Sequence, residues 1–266
     1  MNQHLLHTLY FFRYLLVARH RKGFGVHSPF IFDFITKVLI RNTHHDHDLD
    51  LIPRIKNDIG RKNLMIKKEG FGAGSGYGRN NNISLKKLLH QQSISHKYGR
   101  LLYKMAAYYQ PSNIIELGTS LGISTLYLAL GCRTAEINTI EGDRQLCQMA
   151  GSIINTVLPD NRIHIHHNEF SEVIESWFTN KKEHLMVFID GNHQKEATVY
   201  YCELIRKHVD KPSIIIIDDI HWSSEMLAAW EQICKIPEFT FTIDLFRLGI
   251  VFARKSAAKQ HFVIKY

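Results

Sequence analysis

The feature that most constrains the fold of this chain is an apolar run interrupted by two glycines, Ile-Ile-Glu-Leu-Gly-Thr-Ser-Leu-Gly-Ile-Ser at residues 114–124. The apolar residues predict a buried strand, Gly118 opens a turn, and residues 120–124 have the composition of a helix start. In open α/β sheets such a turn lies at the carboxyl edge of parallel strands, where free backbone N–H groups face ligands. The segment therefore predicts an α/β fold with a site for a nucleotide-like ligand.

Strands and helices alternate through the second half of the chain. Strands are predicted at residues 113–117, 137–141, 163–167, 185–190 and 213–218, and helices at residues 121–131, 143–157, 170–179, 194–208 and 223–235. This alternation predicts a doubly wound, mainly parallel sheet. Two further strands, at residues 239–244 and 246–254, have almost no connection between them, which forces an antiparallel pair. The prediction is a Rossmann-like α/β sheet of seven strands whose last strand is antiparallel.

Residues 1–94 are predicted to form a basic, mainly helical N-terminal extension, and residues 95–266 the α/β domain. The extension contains predicted helices at residues 1–20 and 30–41; the second begins at Ser28-Pro29, a favoured N-cap followed by a favoured first helical residue. Residues 42–50 are rich in histidine and aspartate, and we interpret them as a solvated linker in preference to a metal site. The glycine-rich residues 70–78 lack a preceding strand, so we interpret them as a loop that could close over a ligand.

The charge is unevenly distributed. Residues 1–110 contain 18 Lys+Arg and 6 Asp+Glu, a balance of +12, and residues 111–266 contain 15 and 19, a balance of −4, which together give the net +8. This asymmetry indicates an acidic partner (nucleic acid, a membrane surface or an anionic substrate) or simply a soluble, lysine-rich surface. Residues 5–17 are apolar and aromatic, so residues 1–22 could lie on a membrane surface, but packing on the core or in a homodimer is favoured.

Other sequence features indicate the compartment. No run of 18 or more apolar residues occurs, which argues against a membrane-spanning helix, and residues 5–17 lack the cleavage site of a signal peptide. The cysteines are far apart in the sequence, at Cys132, Cys147, Cys202 and Cys234. We interpret them as reduced core residues of a cytoplasmic protein.

Acidic residues end four of the predicted parallel strands: Glu116, Glu141, Asp190 and the pair Asp218-Asp219. Because the carboxyl ends of parallel strands meet at one edge of a sheet, these side chains are expected to lie together. Glu141 has the place of the acidic residue that accepts both hydroxyls of a ribose. The first turn reads G-x-x-x-G, with Ser120 where the dinucleotide fingerprint needs its second glycine, so a dehydrogenase is a weak alternative.

The motif Glu-Leu-Gly-Thr-Ser-Leu-Gly-Ile-Ser resembles the first motif of catechol-O-methyltransferase-like enzymes, a group of class I S-adenosylmethionine (SAM) methyltransferases. Gly99-Arg100-Leu101-Leu102 is similar to the helix that precedes that motif in the group. Asp190-Gly191-Asn192-His193 and Asp218-Asp219 are similar to the metal and base motifs of the related macrolide-sugar O-methyltransferases. The resemblance covers residues 95–254, and the closing strand pair with Gly249 fits the last two strands of the group.

The resemblance implies a role for each matching residue. The SAM-binding residues would be Glu116, Gly118, Thr119, Ser120, Gly122, Ser124, Glu141, Gly142, Glu169, Phe170 and Asp190. One Mg²⁺ would be held by Asp190, Asp218 and Asp219, since convergent carboxylates suit a hard cation. His193 would be the general base, with Asp190 as its catalytic neighbour, and His221 is a second candidate base or substrate contact.

Alternative interpretations remain open for several of these residues. Asp218 and Asp219 could instead cap the next helix, a role that Ser223 or Ser224 could fill equally well. His193 could begin a helix without any chemical role. The function expected from the resemblance is Mg²⁺-assisted O-methylation of a small-molecule or sugar-like hydroxyl. An RNA methyltransferase that uses the basic N-terminal region, and a SAM-binding module without catalytic activity, are the two other hypotheses.

Overall fold

A computed structural model describes residues 3–20, 22–43, 46–62, 64–67, 82–159, 162–179, 184–208, 213–253 and 258–266. The chain divides into two compact units. The first comprises residues 1–40 and 174–266, and the second residues 41–173. The predicted glycine-rich loop at residues 70–78, and His44 and His45 of the predicted linker, lie outside the described residues.

The helices and strands follow the predicted alternation closely. The helices are α1 Gln3–Val17, α2 Pro29–Asp33, α3 Asp48–Arg61, α4 Leu85–Gln92, α5 His96–Tyr109, α6 Ile123–Gly131, α7 Arg144–Val157, α8 Phe170–Thr179, α9 Lys195–His208 and α10 Ser224–Ile233, with a π-helical segment Phe34–Leu39 after α2. The strands are β1 Met65–Lys67, β2 Asn82–Ser84, β3 Asn113–Leu117, β4 Glu136–Glu141, β5 Ile163–His167, β6 Leu185–Ile189, β7 Ser213–Ile217, β8 Phe239–Asp244, β9 Gly249–Ala253 and β10 Gln260–Val263.

In the second unit, β3, β4 and β5 form a parallel sheet. Leu117 at the end of β3 is level with Ile140, and Glu141 at the end of β4 is level with His167. Their carboxyl ends therefore lie side by side, as the strand–helix alternation requires. Helix α5 packs against α6, and α7 is capped by Asp143, whose carboxylate accepts the N–H groups of Gln145 and Leu146. β1 and β2 form a separate antiparallel pair.

In the first unit, the strands lie in the order β10-β8-β9-β7-β6. β6 and β7 are parallel, and β9 is antiparallel to both β7 and β8. The predicted antiparallel pair is thus confirmed, as is the mainly parallel α/β class. The sequence predicted seven strands, whereas the described residues also contain β10, which pairs in parallel with β8. β10 is four residues long and was missed because its half-exposed, polar pattern gives little strand signal.

The N-terminal helix of the first unit packs on the last residues of the chain. The hydroxyl of Tyr14 donates to the carbonyl oxygen of Ile264 over 2.5 Å, and Arg19 pairs with Ile264 in a short parallel bridge. Phe11 and Tyr14 also lie against the ring of Phe246. One side of α1 is therefore core. Several of its other apolar residues are exposed: Leu5, Leu9, Phe12, Leu16 and Val17.

The region before β3 differs most from the predictions. Ser28 caps α2 as predicted and accepts the N–H of Ile31, but the π-helical segment Phe34–Leu39 replaces the second half of the predicted helix. Helix α3 begins at Asp48, inside the predicted linker, because Leu49, Ile52 and Ile59 form a buried stripe. Among the described residues, no helix is both long enough and apolar enough to cross a membrane.

Candidate functional site

The turn between β3 and α6 brings the predicted glycine motif into a compact loop. The N–H groups of Gly118 and Thr119 both donate to the carbonyl oxygen of Ile140, over 3.0 and 3.1 Å. Gly118 has a φ of 107° and Gly122 a φ of 74°, so both positions favour glycine. Ser120 between them has a φ of 47°, which is unusual for a residue with a Cβ. The loop is thus held in one conformation at the edge of the sheet.

Glu141, the predicted ribose-binding residue, ends β4 directly beside this loop. Its Oε2 accepts the N–H of Ser120 over 2.8 Å, and its Oε1 accepts the N–H of Asp143 over 3.0 Å. The side chain is partly exposed. These two bonds orient the carboxylate of Glu141, whose oxygens accept hydrogen bonds. Its predicted contact with the ribose of SAM stays a prediction.

Glu116, in β3, lies inside the second unit. It is fully buried, and the hydroxyls of Thr125 and Thr139 donate to its Oε2. Burial raises the pKa of Glu116 to about 7, although the neighbouring hydroxyls act in the opposite direction. The geometry makes Glu116 a buried anchor beneath the loop, and its predicted contact with the methionine part of SAM stays a prediction.

The end of β5 completes the edge of the second unit. The ring of His167 hydrogen-bonds through Nε2 to the carbonyl oxygen of Gly142 over 3.1 Å, which joins the ends of β4 and β5. Glu169 is exposed and Phe170, the first residue of α8, is half-buried. These two residues were predicted to border the adenine, and their position after β5 is compatible with that role.

In the first unit, the predicted metal and base residues follow β6 and β7. Ile189 is level with Ile217 in the parallel pair, so Asp190 and Asp218 follow neighbouring strand ends. The N–H of Asp218 donates to the carbonyl oxygen of Ile189 over 2.9 Å. The alternative role of Asp218 and Asp219 as a helix cap is not adopted, because Ser223 caps α10 and accepts the N–H of Met226.

Arg247, which the sequence did not single out, lies on the carboxylate of Asp218. Its Nε donates to Oδ1 and its Nη2 to Oδ2, both over 2.8 Å. Nε also lies 3.4 Å from Oδ1 of Asp219. Burial and the charge of Asp218 raise the pKa of Asp219 to about 7, while Arg247 opposes this shift. The only sequence signal for Arg247 was a lone cation near the start of the last predicted strand.

These contacts bear on the predicted Mg²⁺ site. Both carboxylate oxygens of Asp218 are engaged by the guanidinium, and Oδ1 also accepts the N–H of Asp219. Mg²⁺ needs oxygen ligands in near-octahedral geometry, and a guanidinium on the same oxygens would repel it. Within the described part of the chain, no group of three or more His, Cys, Asp or Glu side chains is arranged to hold a metal ion. Asp190, Asp218 and Asp219, as they stand, do not fit Mg²⁺.

His193, the predicted general base, lies in a tight turn after β6. Its Nε2 is 3.7 Å from Oδ1 of Asp190, which is too long for a hydrogen bond. Asn192 and His193 have φ values of 67° and 31°, and such strained positions cluster at functional sites. Burial lowers the pKa of His193, and the nearby Asp218 opposes this shift. A neutral imidazole is the form that can accept a proton.

His221, the second candidate base, is held by a residue that sequence reasoning missed. Its Nε2 lies 2.7 Å from Oδ2 of Asp244, the last residue of β8. Oδ1 of Asp244 in turn accepts the N–H of Phe246 over 2.7 Å, and the ring of Phe246 stacks on His221 at 12°. Asp244 was assigned only to a strand, because nothing in its local sequence indicates a partner 23 residues away.

Residues 115–220, which contain the glycine loop and the strand ends, match the family model described as a methyltransferase domain. This part of the chain is similar to a methyltransferase domain. The match runs from within β3 to three residues past the end of β7, and it includes the predicted SAM-binding, metal-binding and base residues apart from His221. The match bears out the resemblance of this region to a methyltransferase.

Solved structures similar to this methyltransferase have the same fold. An O-methyltransferase from Bacillus cereus in complex with SAH has a TM-score of 0.56 at 17% identity, covering 85% of this chain and 97% of that one. An O-methyltransferase of tomaymycin synthesis from Streptomyces achromogenes, in complex with SAM, has a TM-score of 0.53 at 13% identity, covering 95% and 98%. A SAH-bound methyltransferase from Podospora anserina has a TM-score of 0.55 at 14% identity, covering 82% and 98%.

Proposed function

We propose that this methyltransferase transfers the methyl group of SAM to a hydroxyl oxygen of a small-molecule or sugar-like acceptor. The observation that carries the cofactor part is the carboxylate of Glu141, which two backbone N–H groups orient at the edge of the sheet beside the glycine loop. The O-methyltransferases among the similar structures support oxygen as the atom that accepts the methyl group. When bound, SAM supplies an electrophilic methyl group.

The residues of the second unit would hold the cofactor. Glu141 would accept the ribose hydroxyls with its carboxylate oxygens. The first turn of α6 presents N–H groups that have no partner within the helix, and these suit the carboxylate of the methionine part. Phe170 provides an apolar surface for the adenine ring. Together these contacts would orient the methyl group, and orientation is the main requirement for methyl transfer.

The residues of the first unit would handle the acceptor. His193 accepts the proton of the acceptor hydroxyl, because burial favours its neutral form. Asp190 lies beside it and would orient the imidazolium that forms. Mg²⁺ is left out of this proposal, because the residues predicted to bind it do not fit it. Replacing His193 with glutamine should lower turnover by roughly 10²- to 10⁴-fold while SAM affinity stays unchanged.

Calorimetric titration of the full chain with SAM tests the cofactor part. The expected result is saturable binding that Glu141→Ala weakens at least tenfold. Glu136→Ala is the matched control, because Glu136 begins the same strand, is exposed and contacts the ring of His164. Absence of SAM binding in the unmodified chain would refute the proposal. Equal losses in both variants would mean that Glu141 has no specific role.

Turnover measurements separate the proposal from its two rivals. A module without catalytic activity would bind SAM but form no SAH with any hydroxylated acceptor. The balance of +12 in residues 1–110 favours the RNA hypothesis, which predicts binding of RNA that falls steeply with salt. A small acceptor predicts turnover that depends only weakly on ionic strength. A homodimer and a peripheral membrane contact through residues 1–22 remain proposals.

A further inference from the structure

The strand order of the first unit brings Arg247 to the acidic strand ends. β9 is antiparallel to β7, and Ile217 at the end of β7 is level with Gly249 at the start of β9. Arg247 precedes Gly249 by two residues, so it lies beside the residues that follow β7. Its carbonyl oxygen accepts the N–H of Ile220 over 3.1 Å, which fixes the backbone of the arginine as well as its side chain.

The contact between Arg247 and Asp218 has the geometry of a strong ion pair. Two parallel N–H···O bonds of 2.8 Å join a planar guanidinium to a planar carboxylate, an arrangement that lysine cannot reproduce. The side chain of Asp218 is completely buried, and that of Arg247 is 29% exposed. Removing either partner would leave a buried charge without compensation, so the pair is expected to persist.

Arg247 also lies close to a second predicted metal ligand. Its Nε is 3.4 Å from Oδ1 of Asp219. A guanidinium keeps its charge at every physiological pH. Two of the three carboxylates that were predicted to bind a divalent cation, Asp218 and Asp219, therefore lie against a cation that belongs to the chain.

From these contacts we infer that Arg247 is the resident cation of this acidic cluster and takes the place of a divalent metal ion in the acceptor site. The enzyme would then work without Mg²⁺, and Arg247 would be a positioning residue that keeps Asp218 and Asp219 in place around the acceptor. This inference rests on the proposed function for its catalytic meaning, but its central claim concerns cation binding and can be measured without an acceptor.

The test is titration of the full chain with Mn²⁺, followed by electron paramagnetic resonance and by calorimetry with Mg²⁺. The unmodified chain is expected to show no saturable site. Arg247→Gln frees the oxygens of Asp218 and is expected to create a saturable Mn²⁺ site. Its affinity should be at least tenfold higher than any residual Mn²⁺ binding by the unmodified chain. The double variant Arg247→Gln with Asp218→Asn should lose that site again. Arg247→Lys, which retains a cation, should not gain it.

A matched control is Arg206→Gln. Arg206 also bridges two carboxylates, those of Glu203 and Glu238, over 2.7 and 2.6 Å, but it lies away from the predicted site residues in sequence, on α9. Its removal should create no Mn²⁺ site, which would show that the gain is specific to the cluster around Asp218. SAM titration of every variant reports on folding and on the cofactor site independently.

Two outcomes would overturn the inference. Stoichiometric Mn²⁺ binding to the unmodified chain, abolished by Asp218→Asn, would mean that the metal displaces Arg247. A folded Arg247→Gln variant that binds SAM but gains no Mn²⁺ site would mean that the carboxylates do not form a cation site at all. Failure of SAM binding in the unmodified chain would instead refute the proposed function, and the Mn²⁺ titrations would still decide the role of Arg247.

Discussion

The N–H of Ser120 donates a hydrogen bond of 2.8 Å to Oε2 of Glu141, which lies 21 residues further along the chain. This bond joins the glycine loop after β3 to the end of β4. It also holds Ser120 at a φ of 47°, where a residue with a Cβ is strained. The carboxylate that is proposed to bind the ribose therefore also fixes the loop that is proposed to bind the methionine portion.

Substitutions of Ser120 should separate backbone strain from the contact itself. Ser120→Gly keeps the left-handed conformation without a Cβ, so the free energy of unfolding should stay the same or rise slightly. Ser120→Val should lower it by about 1–2 kcal/mol, because a β-branched residue is disfavoured at positive φ. Urea unfolding measures both effects. The idea fails if the valine variant is as stable as the glycine variant.

The buried carboxyl of Glu116 should make stability depend on pH. Its pKa is raised to about 7 in the folded chain, from an ordinary value of 4.5. The folded state therefore holds this proton more tightly, so the free energy of unfolding should fall as pH rises from about 4.5 to about 7, by up to ~1.4 kcal/mol per pH unit. Below 4.5 the contribution is fully present.

Urea unfolding between pH 4 and pH 8 checks this expectation. Glu116→Gln, which cannot ionise, should be less sensitive to pH in that window and should be the more stable protein at pH 8. Glu136→Gln at the exposed start of β4 serves as control and should keep the slope of the unmodified chain. Identical slopes for the Glu116 variant and the unmodified chain would contradict the role given to this carboxyl.

The pair His221–Asp244 should be energetically coupled. His221 and Asp244 are both almost buried, and their contact of 2.7 Å fixes the turn that carries Phe246. His221→Asn and Asp244→Asn should each cost about 1–3 kcal/mol of unfolding free energy, because each leaves a buried polar partner poorly satisfied. The double variant should lose less than the sum. Strict additivity in the double-mutant cycle would show that the two residues act independently.

The exposed apolar side of α1 should bind an anionic membrane surface. Leu9 and Phe12 are 50% and 60% exposed, and residues 1–32 contain no Asp or Glu. We expect the chain to co-sediment with vesicles that contain phosphatidylglycerol, more strongly at low salt. The double variant Leu9→Ser, Phe12→Ser should bind several-fold less. Leu64→Ser, at a residue 50% exposed outside α1, should bind normally.

Light scattering of the same proteins distinguishes a membrane contact of α1 from a contact with a second copy of the chain. If the unmodified chain does not bind vesicles but is a dimer that the double variant dissociates, the exposed side of α1 is a contact between two copies. If neither vesicle binding nor association changes in the double variant, the predicted contact through residues 1–22 is wrong.

The α/β order was predictable because each buried strand is a short apolar run with its own turn signal. β3, β5 and β8 have the predicted bounds, and the other strands of the predicted seven begin or end within a few residues of them. Helix α3 was missed because Asp46, His47 and Asp48 look like a linker and Pro53 interrupts the helical pattern. The tertiary contacts of its apolar stripe outweigh these local signals.

The candidate site was predictable only where it follows strand ends. Glu141 and Asp190 were found because their positions are fixed by the strands that precede them. Arg247 and Asp244 were not, because each meets its partner through the antiparallel β9 or β8, and the register of such a pairing cannot be read from local sequence. The metal prediction rested on three carboxylates alone, and a cation from elsewhere in the chain changes what they can bind.

The contact of Tyr14 with Ile264 joins residues that are 250 positions apart. During synthesis at ~5–20 residues per second, the helix that contains Tyr14 would wait roughly 12–50 s for this partner. Throughout that interval both sides of α1 are exposed, including the side that finally packs on Phe246. A nascent chain with such an exposed helix would suit a chaperone that binds near the ribosome exit. Deleting residues 264–266 should lower the yield of soluble protein, whereas the molecules that do fold should keep most of their activity.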